Sequence, residues 1–356
     1  MSEGRASQEK DCRLPFELEI DDPVVRQTWT RASSSGISEI VNGYVLALAL
    51  QAFVSSGLMK KLREGPVTFN SVADVGGEVK VLDGLLQYLE IEGITQQTGE
   101  FWEITERGLA LLDDVPRALL GYYTEAYGPV LSRMAGQLTG QEKYGKAVYR
   151  DAEALGRHCE ILFRSFGTRL VEQLARRLNA TGILDLGCGT GGLVIDLCRS
   201  IPNLRGYGMD IAPEAIAYAR SRAELAGLSD RVTFMVKDAF KPWDWPEEVL
   251  ARCNFLTAAG ALHEHFRDGE DAVIDLLRRY QDVLRANNGT FLLCEPELHI
   301  DESDANFYLV HVMTAQGFPR PRKGWLPIIE RAGLHCRRVT SHPGAGFKFA
   351  YYELSA

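Results

Sequence analysis

The chain has 356 residues, 46% of them apolar and 24% charged, and a formal net charge of −9. That length allows one large domain or two ordinary ones with a sizeable core. The acidic balance argues against nucleic acid, whose phosphates need a basic surface, but leaves room for an anionic small molecule met by a local cation. The longest apolar run, YVLALALQAFV at 44–54, is too short to span a bilayer. The polar start MSEGRASQEKD lacks the apolar core of a signal peptide. A cytoplasmic protein with no membrane partner is therefore expected. Seven scattered cysteines with no C-x-x-C pair disfavour both a disulfide framework and a cysteine zinc site.

In chain order, residues 1–30 read as a flexible arm. Residues 31–115 read as helices followed by a two-stranded wing. ISEIVNGYVLALALQAFVSSGLMKKLREG supplies a long apolar helix and a short one ending near Gly65. TFNSVADVGG and VKVLDGLLQYLEIEGI supply two more, and TQQTGEFWEITERGLALL a hairpin and a helix. This is the order of a winged helix. Its KVLDGLLQYLEIEG segment is apolar and slightly acidic, so a homodimer interface is expected there rather than DNA binding. Residues 116–178 read as a helical linker, RALLGYYTEAYGPVLSRMAGQLTG and then DAEALGRHCEILFRSFGTRLVEQLARRL. From 179 to 356 short apolar strands alternate with helices, the signature of a parallel α/β sheet, and the tail reads as two antiparallel strands.

That last part opens with TGILDLGCGTGGLVIDLCRSIPNLRGYGMDIAPEAIAYARSRAELAG: strand, glycine loop, helix, strand, turn, helix. Gly187 and Gly189 allow a tight turn and close backbone approach of a ligand, and the next helix offers unpaired N–H groups. Asp210 ends the second strand, where a carboxylate can take both hydroxyls of a ribose. The glycine spacing alone also fits a dinucleotide. Two acids argue otherwise. Asp185 stands just before the first glycine, where it would repel a pyrophosphate, and Asp238 in DRVTFMVKDAF suits the exocyclic amine of adenine.

LDLGCGTGG, with these acids behind it, resembles the class I methyltransferases that bind S-adenosylmethionine, over about 180–300. The resemblance implies a Rossmann-like methyltransferase sheet behind an N-terminal, mostly helical, winged-helix-like dimerisation domain. It also implies S-adenosylmethionine as cofactor. Asp185, Gly187 and Gly189 would hold its methionine end, Asp210 and Ile211 would lie at the ribose, and Asp238 with Ala239 at the adenine.

GALHEHFRDGED follows the fourth strand, CNFLTAAGAL, and so falls at the carboxyl edge where open α/β sheets bind ligands. In O-methyltransferases that LHEHFRDGE resembles, a histidine takes the substrate's hydroxyl proton, and His263 falls on it. On an extended backbone His263 and His265 would share one face. His311 in NFYLVHVMTAQGF adds a third imidazole, and such a set suits a transition metal rather than magnesium. With GKAVYRDA, which carries Arg150, the pattern resembles the metal-dependent 2-oxo acid C3-methyltransferases acting on phenylpyruvate, 2-oxoarginine or branched-chain oxo acids. That resemblance implies iron or zinc at His263 and His311, with His265 as a further ligand. Arg150 would hold the substrate carboxylate, and Glu264 would sit beside the metal as a candidate for removing the C3 proton. The expected reaction is methylation of C3 of an aliphatic or aromatic 2-oxo acid, in amino-acid or peptide antibiotic biosynthesis. The alternative is metal-free O-methylation with His263 as general base. Glu295 reads as a ligand or a support for one, and His299 as a loop histidine.

Overall fold

The computed structural model describes residues 22–70, 78–299, 304–341 and 348–356. The expected arm up to residue 21, the helix expected over SVADVGG, Cys12 and His342 lie outside the described residues. Two units divide the rest. One runs to Glu92 and takes in 97–103; the other comprises 93–96 and 104 onward. The boundary thus runs through the hairpin, and the stretch expected as a separate linker belongs with the sheet.

In the first unit, Pro23–Ser33 is a helix where arm had been expected, because Asp22 caps it by accepting from Val24 and Val25 N–H (2.7 and 3.1 Å). Next come α2 (Ile37–Ser55) and a short helix, Leu58–Glu64, with Val79–Ile91 following. A small sheet in the order β1-β3-β2 is made by β1 (Val67–Thr68), β2 (Thr95–Thr98) and β3 (Phe101–Ile104). The 19-residue α2 exceeds the apolar run noted in the sequence and is long and apolar enough to cross a membrane by length and composition. Only Leu50 and Phe53 on it are buried. Ile37, Ile40, Val41, Tyr44, Val45 and Leu48 are exposed at helical spacing and form one apolar stripe.

The second unit holds a seven-stranded sheet. In it β4 (Gly182–Leu186), β5 (Arg205–Asp210), β6 (Val232–Val236), β7 (Phe255–Ala259) and β8 (Thr290–Glu297) run parallel, and β10 (Lys348–Ser355) is antiparallel between β8 and β9 (His335–Ser341). The order β6-β5-β4-β7-β8-β10-β9 reverses direction at β4, so the ligand crevice opens at the carboxyl ends of β4 and β7. All five residues of β4 and all eight of β8 are buried, as expected of strands covered on both faces.

Two helices expected to be continuous are broken. RALLGYYTEAYGPVL is a helix to Gly121, one π-helical turn over Tyr122–Ala126, and a short helix from Gly128 with Pro129 at its start. The second becomes α9 (Ala152–Arg164) and Gly167–Arg177. At Gly167 a Cβ would stand 2.5 Å from the Phe163 ring, so the chain turns where only glycine fits.

Candidate active site

The glycine loop leaves β4 with Gly187, Gly189 and Gly191 all at positive φ (75°, 51° and 75°), a conformation that side chains disfavour. A Cβ on Gly191 would also lie 2.4 Å from the Phe234 ring. Asp210 fixes this loop: its carboxylate accepts from Gly189 N–H and from Ala212 N–H, 2.9 Å each. One lone pair on each oxygen remains for a ligand. Asp185 is buried and accepts from the Thr257 hydroxyl at 2.7 Å. Burial pushes its carboxyl up to about 6, against the Thr257 hydrogen bond and helped by the charge of Asp210. A cationic ligand is the natural complement to such an acid. Ile211 stands 70% exposed beyond Asp210. Asp238, after β6, accepts from Phe240 N–H (2.9 Å) and pairs with Lys241 (3.2 Å), and buried Ala239 accepts the Tyr280 hydroxyl through its carbonyl (2.8 Å).

The opposite wall begins at the end of β7. A Cβ on Gly187 would meet that of Ala261 at 3.7 Å, so the glycine loop and the histidine turn are neighbours. Residues Leu262–Asp268 form a 3-10 helix. The extended backbone on which His263 and His265 were to converge is therefore absent. Three residues per turn throws residues i and i+2 to different sides. His263 is buried, and its Nδ1–H donates to Glu295 Oε2 at 2.7 Å. Glu295, wholly buried on β8, also accepts from the Leu262 N–H (2.8 Å) and the Ala261 N–H (3.2 Å). It holds both the turn and the ring. His311, on the helix Ala305–Met313, faces His263 with ring centroids 5.6 Å apart. Its Nδ1–H donates to the Phe307 carbonyl (2.7 Å). Burial, and then the charges of His263 and Arg150, lower it to about 4 against that hydrogen bond, so at neutral pH the ring is uncharged.

His265 instead packs edge-on against Phe240, centroids 4.3 Å apart, with Nε2 buried and without a hydrogen-bond partner among the described residues. Arg150 stands 3.7 Å from Glu264 and within 3.4 Å of the Tyr127 hydroxyl, which Gln316 also reaches at 3.5 Å. Arg267 approaches Glu264 at 3.9 Å from the other side. Gly317 lies against this turn: a Cβ there would meet the His263 carbonyl at 2.1 Å. At the end of β8, Glu297 accepts from Arg322 N–H (2.7 Å) at the start of the helix Arg322–Arg331, and the N–H of His299, the expected loop histidine, donates to Asp304 (2.9 Å).

The structure thus brings Arg150, His263, Glu264 and His311 together and leaves His265 apart. Among the described residues, no group of three or more His, Cys, Asp or Glu side chains is placed to hold a metal ion. The two facing imidazoles still fit as a pair of ligands. Each has Nδ1 tied to an acceptor, which fixes the tautomer and leaves Nε2 with its lone pair, the usual support of a metal-bound histidine.

Residues 183–287 match the family model described as a methyltransferase domain. The chain is a class I S-adenosylmethionine-dependent methyltransferase. The methyltransferase is 27% identical to the 2-ketoarginine methyltransferase of Streptomyces arginensis, over 84% of this chain and 88% of that protein. It is 24% identical to the mitomycin biosynthesis 6-O-methyltransferase of Streptomyces lavendulae, over 86% and 90%. The indolepyruvate C-methyltransferase of Streptomyces griseus matches at 26%, over 56% and 59%. Among solved structures, human N-acetylserotonin methyltransferase in complex with S-adenosylmethionine superposes with a TM-score of 0.69, at 18% identity over 94% and 99%. The mitomycin 7-O-methyltransferase does so with 0.65, at 18% identity over 92% and 99%. These likenesses establish the fold the methyltransferase shares with them. Its curated relatives include enzymes named for methylation at carbon and at oxygen.

Proposed function

We propose that this methyltransferase methylates C3 of a 2-oxo acid with an aromatic or branched aliphatic side chain, in specialised amino-acid or peptide biosynthesis. The observation that carries the reading is the second imidazole. An O-methyltransferase needs one base, and the His263–Glu295 pair already provides it; uncharged His311, facing that pair and held by Phe307, has no task in such a reaction. Iron or zinc on His263 and His311 would supply Lewis-acid polarisation of a chelated 2-oxo group, favouring the enol. Arg150 binds the substrate carboxylate by charge-assisted hydrogen bonds. Glu264, held between Arg150 and Arg267, takes the C3 proton. The electron pair left at C3 forms the new bond to the methyl carbon, whose bond to sulfur breaks, and the cofactor leaves as uncharged S-adenosylhomocysteine. Phe307, packed edge-on against His311, and Phe318 beside it offer an apolar wall. Glu125, two positions before the Tyr127 that reaches Arg150, is engaged by His158 and Arg157, which argues against its serving a guanidinium substrate.

Metal content of the purified protein tests this first, for wild type and for His263→Ala with His311→Ala. About one transition metal per chain, lost in the double variant, with methyl transfer to C3 of phenylpyruvate or a branched-chain oxo acid, is expected. A metal-free wild type that methylates a hydroxyl would replace this reading with general-base catalysis by His263 and Glu295, which their 2.7 Å contact supports.

The exposed stripe on α2 supports a homodimer through the N-terminal unit. Tyr44→Glu with Val41→Glu should turn a sedimenting dimer into a monomer. Binding of wild type to lipid vesicles would instead assign the stripe to a membrane.

A further inference from the structure

The glycine loop has a weakness that its function does not remove. Three glycines at positive φ give it more freedom to lose on ordering than a loop of residues with side chains. Within GCGTGG the side chains that could tether it are Cys188 and Thr190. Cys188 is buried. Thr190 is tethered, from a helix outside the glycine motif. Its hydroxyl donates to Glu160 on α9, and Glu160 receives Arg222 with two nitrogens, 2.8 Å to each carboxylate oxygen. The same guanidinium donates to the Thr190 carbonyl at 3.0 Å. The fit is close: a Cβ on Gly192 would stand 2.6 Å from the Glu160 carboxyl. Against burial, which would raise it, the hydrogen bonds from Arg222 and Thr190 hold Glu160 below the usual carboxylate range.

We propose that Glu160 is a positioning residue for the cofactor: with Arg222 it clamps Thr190 and thereby fixes the loop that receives the methionine end of S-adenosylmethionine. Geometry supports more than a general link between helices, because α9 has a separate tie of that kind. Arg164 donates to Asp196 on the helix that follows the loop (2.9 Å) and touches no loop atom named above. Arg164 also reaches Glu160 at 3.2 Å, so the tie between the helices is cut separately from the clamp only at Asp196. The inference needs only S-adenosylmethionine as the methyl donor and stands whether the acceptor is carbon or oxygen.

Calorimetric titration with S-adenosylhomocysteine, beside thermal denaturation of the free protein, separates positioning from stability. Glu160→Gln should weaken binding about tenfold, the size expected for losing a charge-assisted contact. Arg222→Lys, which keeps the charge but not the two-pronged geometry, should fall between it and wild type. Thr190→Val removes only the hydroxyl bond and should weaken binding severalfold; it decides the matter if Glu160→Gln does not fold. Asp196→Ala, which removes the other end of the tie between the helices and leaves Arg164 on Glu160, should lower the melting temperature and leave affinity unchanged. Wild-type affinity in Glu160→Gln or in Thr190→Val overturns the proposal, as does an equal loss of affinity in Asp196→Ala.

Discussion

The cofactor side of this site is mostly backbone from one continuous stretch, whereas the acceptor side is a set of side chains carried in from separate elements. Residues 185–192 supply the loop, its positive-φ turns and the helix start, and Asp210 is one strand away in sequence. Across the crevice, Arg150 precedes α9, His263 and Glu264 follow β7, Glu295 lies inside β8 and His311 sits on a late helix. A loop of backbone tolerates changes in chemistry but not in shape. A constellation of side chains is sensitive to both.

The strongest test of that contrast lies in the buried pair. Glu295→Gln keeps the volume but leaves His263 with a neutral partner, and its single oxygen cannot serve both the N–H groups of 261 and 262, which share Oε1, and the His263 ring at Oε2. Either reaction at this site should lose about 10²–10⁴-fold in kcat, the range for removing a positioned acid–base group. The affinity for S-adenosylhomocysteine should stay near wild type. A comparable loss of cofactor affinity would show that the two sides are not separable in this way.

Gly317→Ala asks whether shape alone matters on the acceptor side. No reacting atom changes, but the new methyl group would meet the His263 carbonyl. Displacing the turn should lower kcat by about 10²-fold, as small misplacements of reacting groups do. Unchanged kinetics would mean the turn can give way without moving the ring.

The cofactor side responds to pH instead. Asp185 has its carboxyl raised to about 6 by burial, so it gains a proton as pH falls through that value. If it faces the cationic end of S-adenosylmethionine, binding favours the ionised form and is lost on acidification, by about tenfold per unit below the pKa. In the free protein the same shift acts in the opposite direction: relative to an unfolded chain, the protonated fold is favoured between the unfolded value and about 6. Titrations at pH 5 and 7.5 should show the loss, and Asp185→Asn should bind weakly at both. A flat wild-type profile would place the cation elsewhere.

This contrast also explains what could be read before any coordinates. The glycine loop, Asp185, Asp210 and Asp238 were legible because their spacing is local and their order along alternating strands and helices is fixed by the sheet. The apolar stripe on α2 is visible in the sequence as apolar residues, though not the full length of the helix, and the interface expected from the sequence lies on KVLDGLLQYLEIEG instead. Glu160 was not legible: in sequence it is one acid among the charged positions of an amphipathic helix, and its i+4 neighbour Arg164 gives it an ordinary partner. Gly317 was equally silent, since nothing nearby in sequence shows that a backbone carbonyl 54 positions earlier occupies its Cβ position. In the sequence Glu295 stands out as an acid on the right edge, but its grip on the turn depends on β8 lying beside β7.

The smallest effect is expected at His265, and it sharpens the comparison most cheaply. Reading HEH as extended backbone made the two histidines partners; the 3-10 turn separates them and leaves His265 against Phe240. Burial lowers its pKa, and its Nε2 lacks a partner among the described residues, so the ring contributes packing rather than charge. His265→Phe should keep metal content, if wild type carries metal, and should change kcat by no more than about twofold. Its melting temperature should hold or rise, because exchanging an unsatisfied buried nitrogen for carbon removes a desolvation penalty. Loss of metal in this variant would return His265 to the ligand set and require the turn to open when metal binds. Loss of cofactor affinity without loss of metal would place the ring at the adenine end, beside Asp238, as part of the side built from backbone.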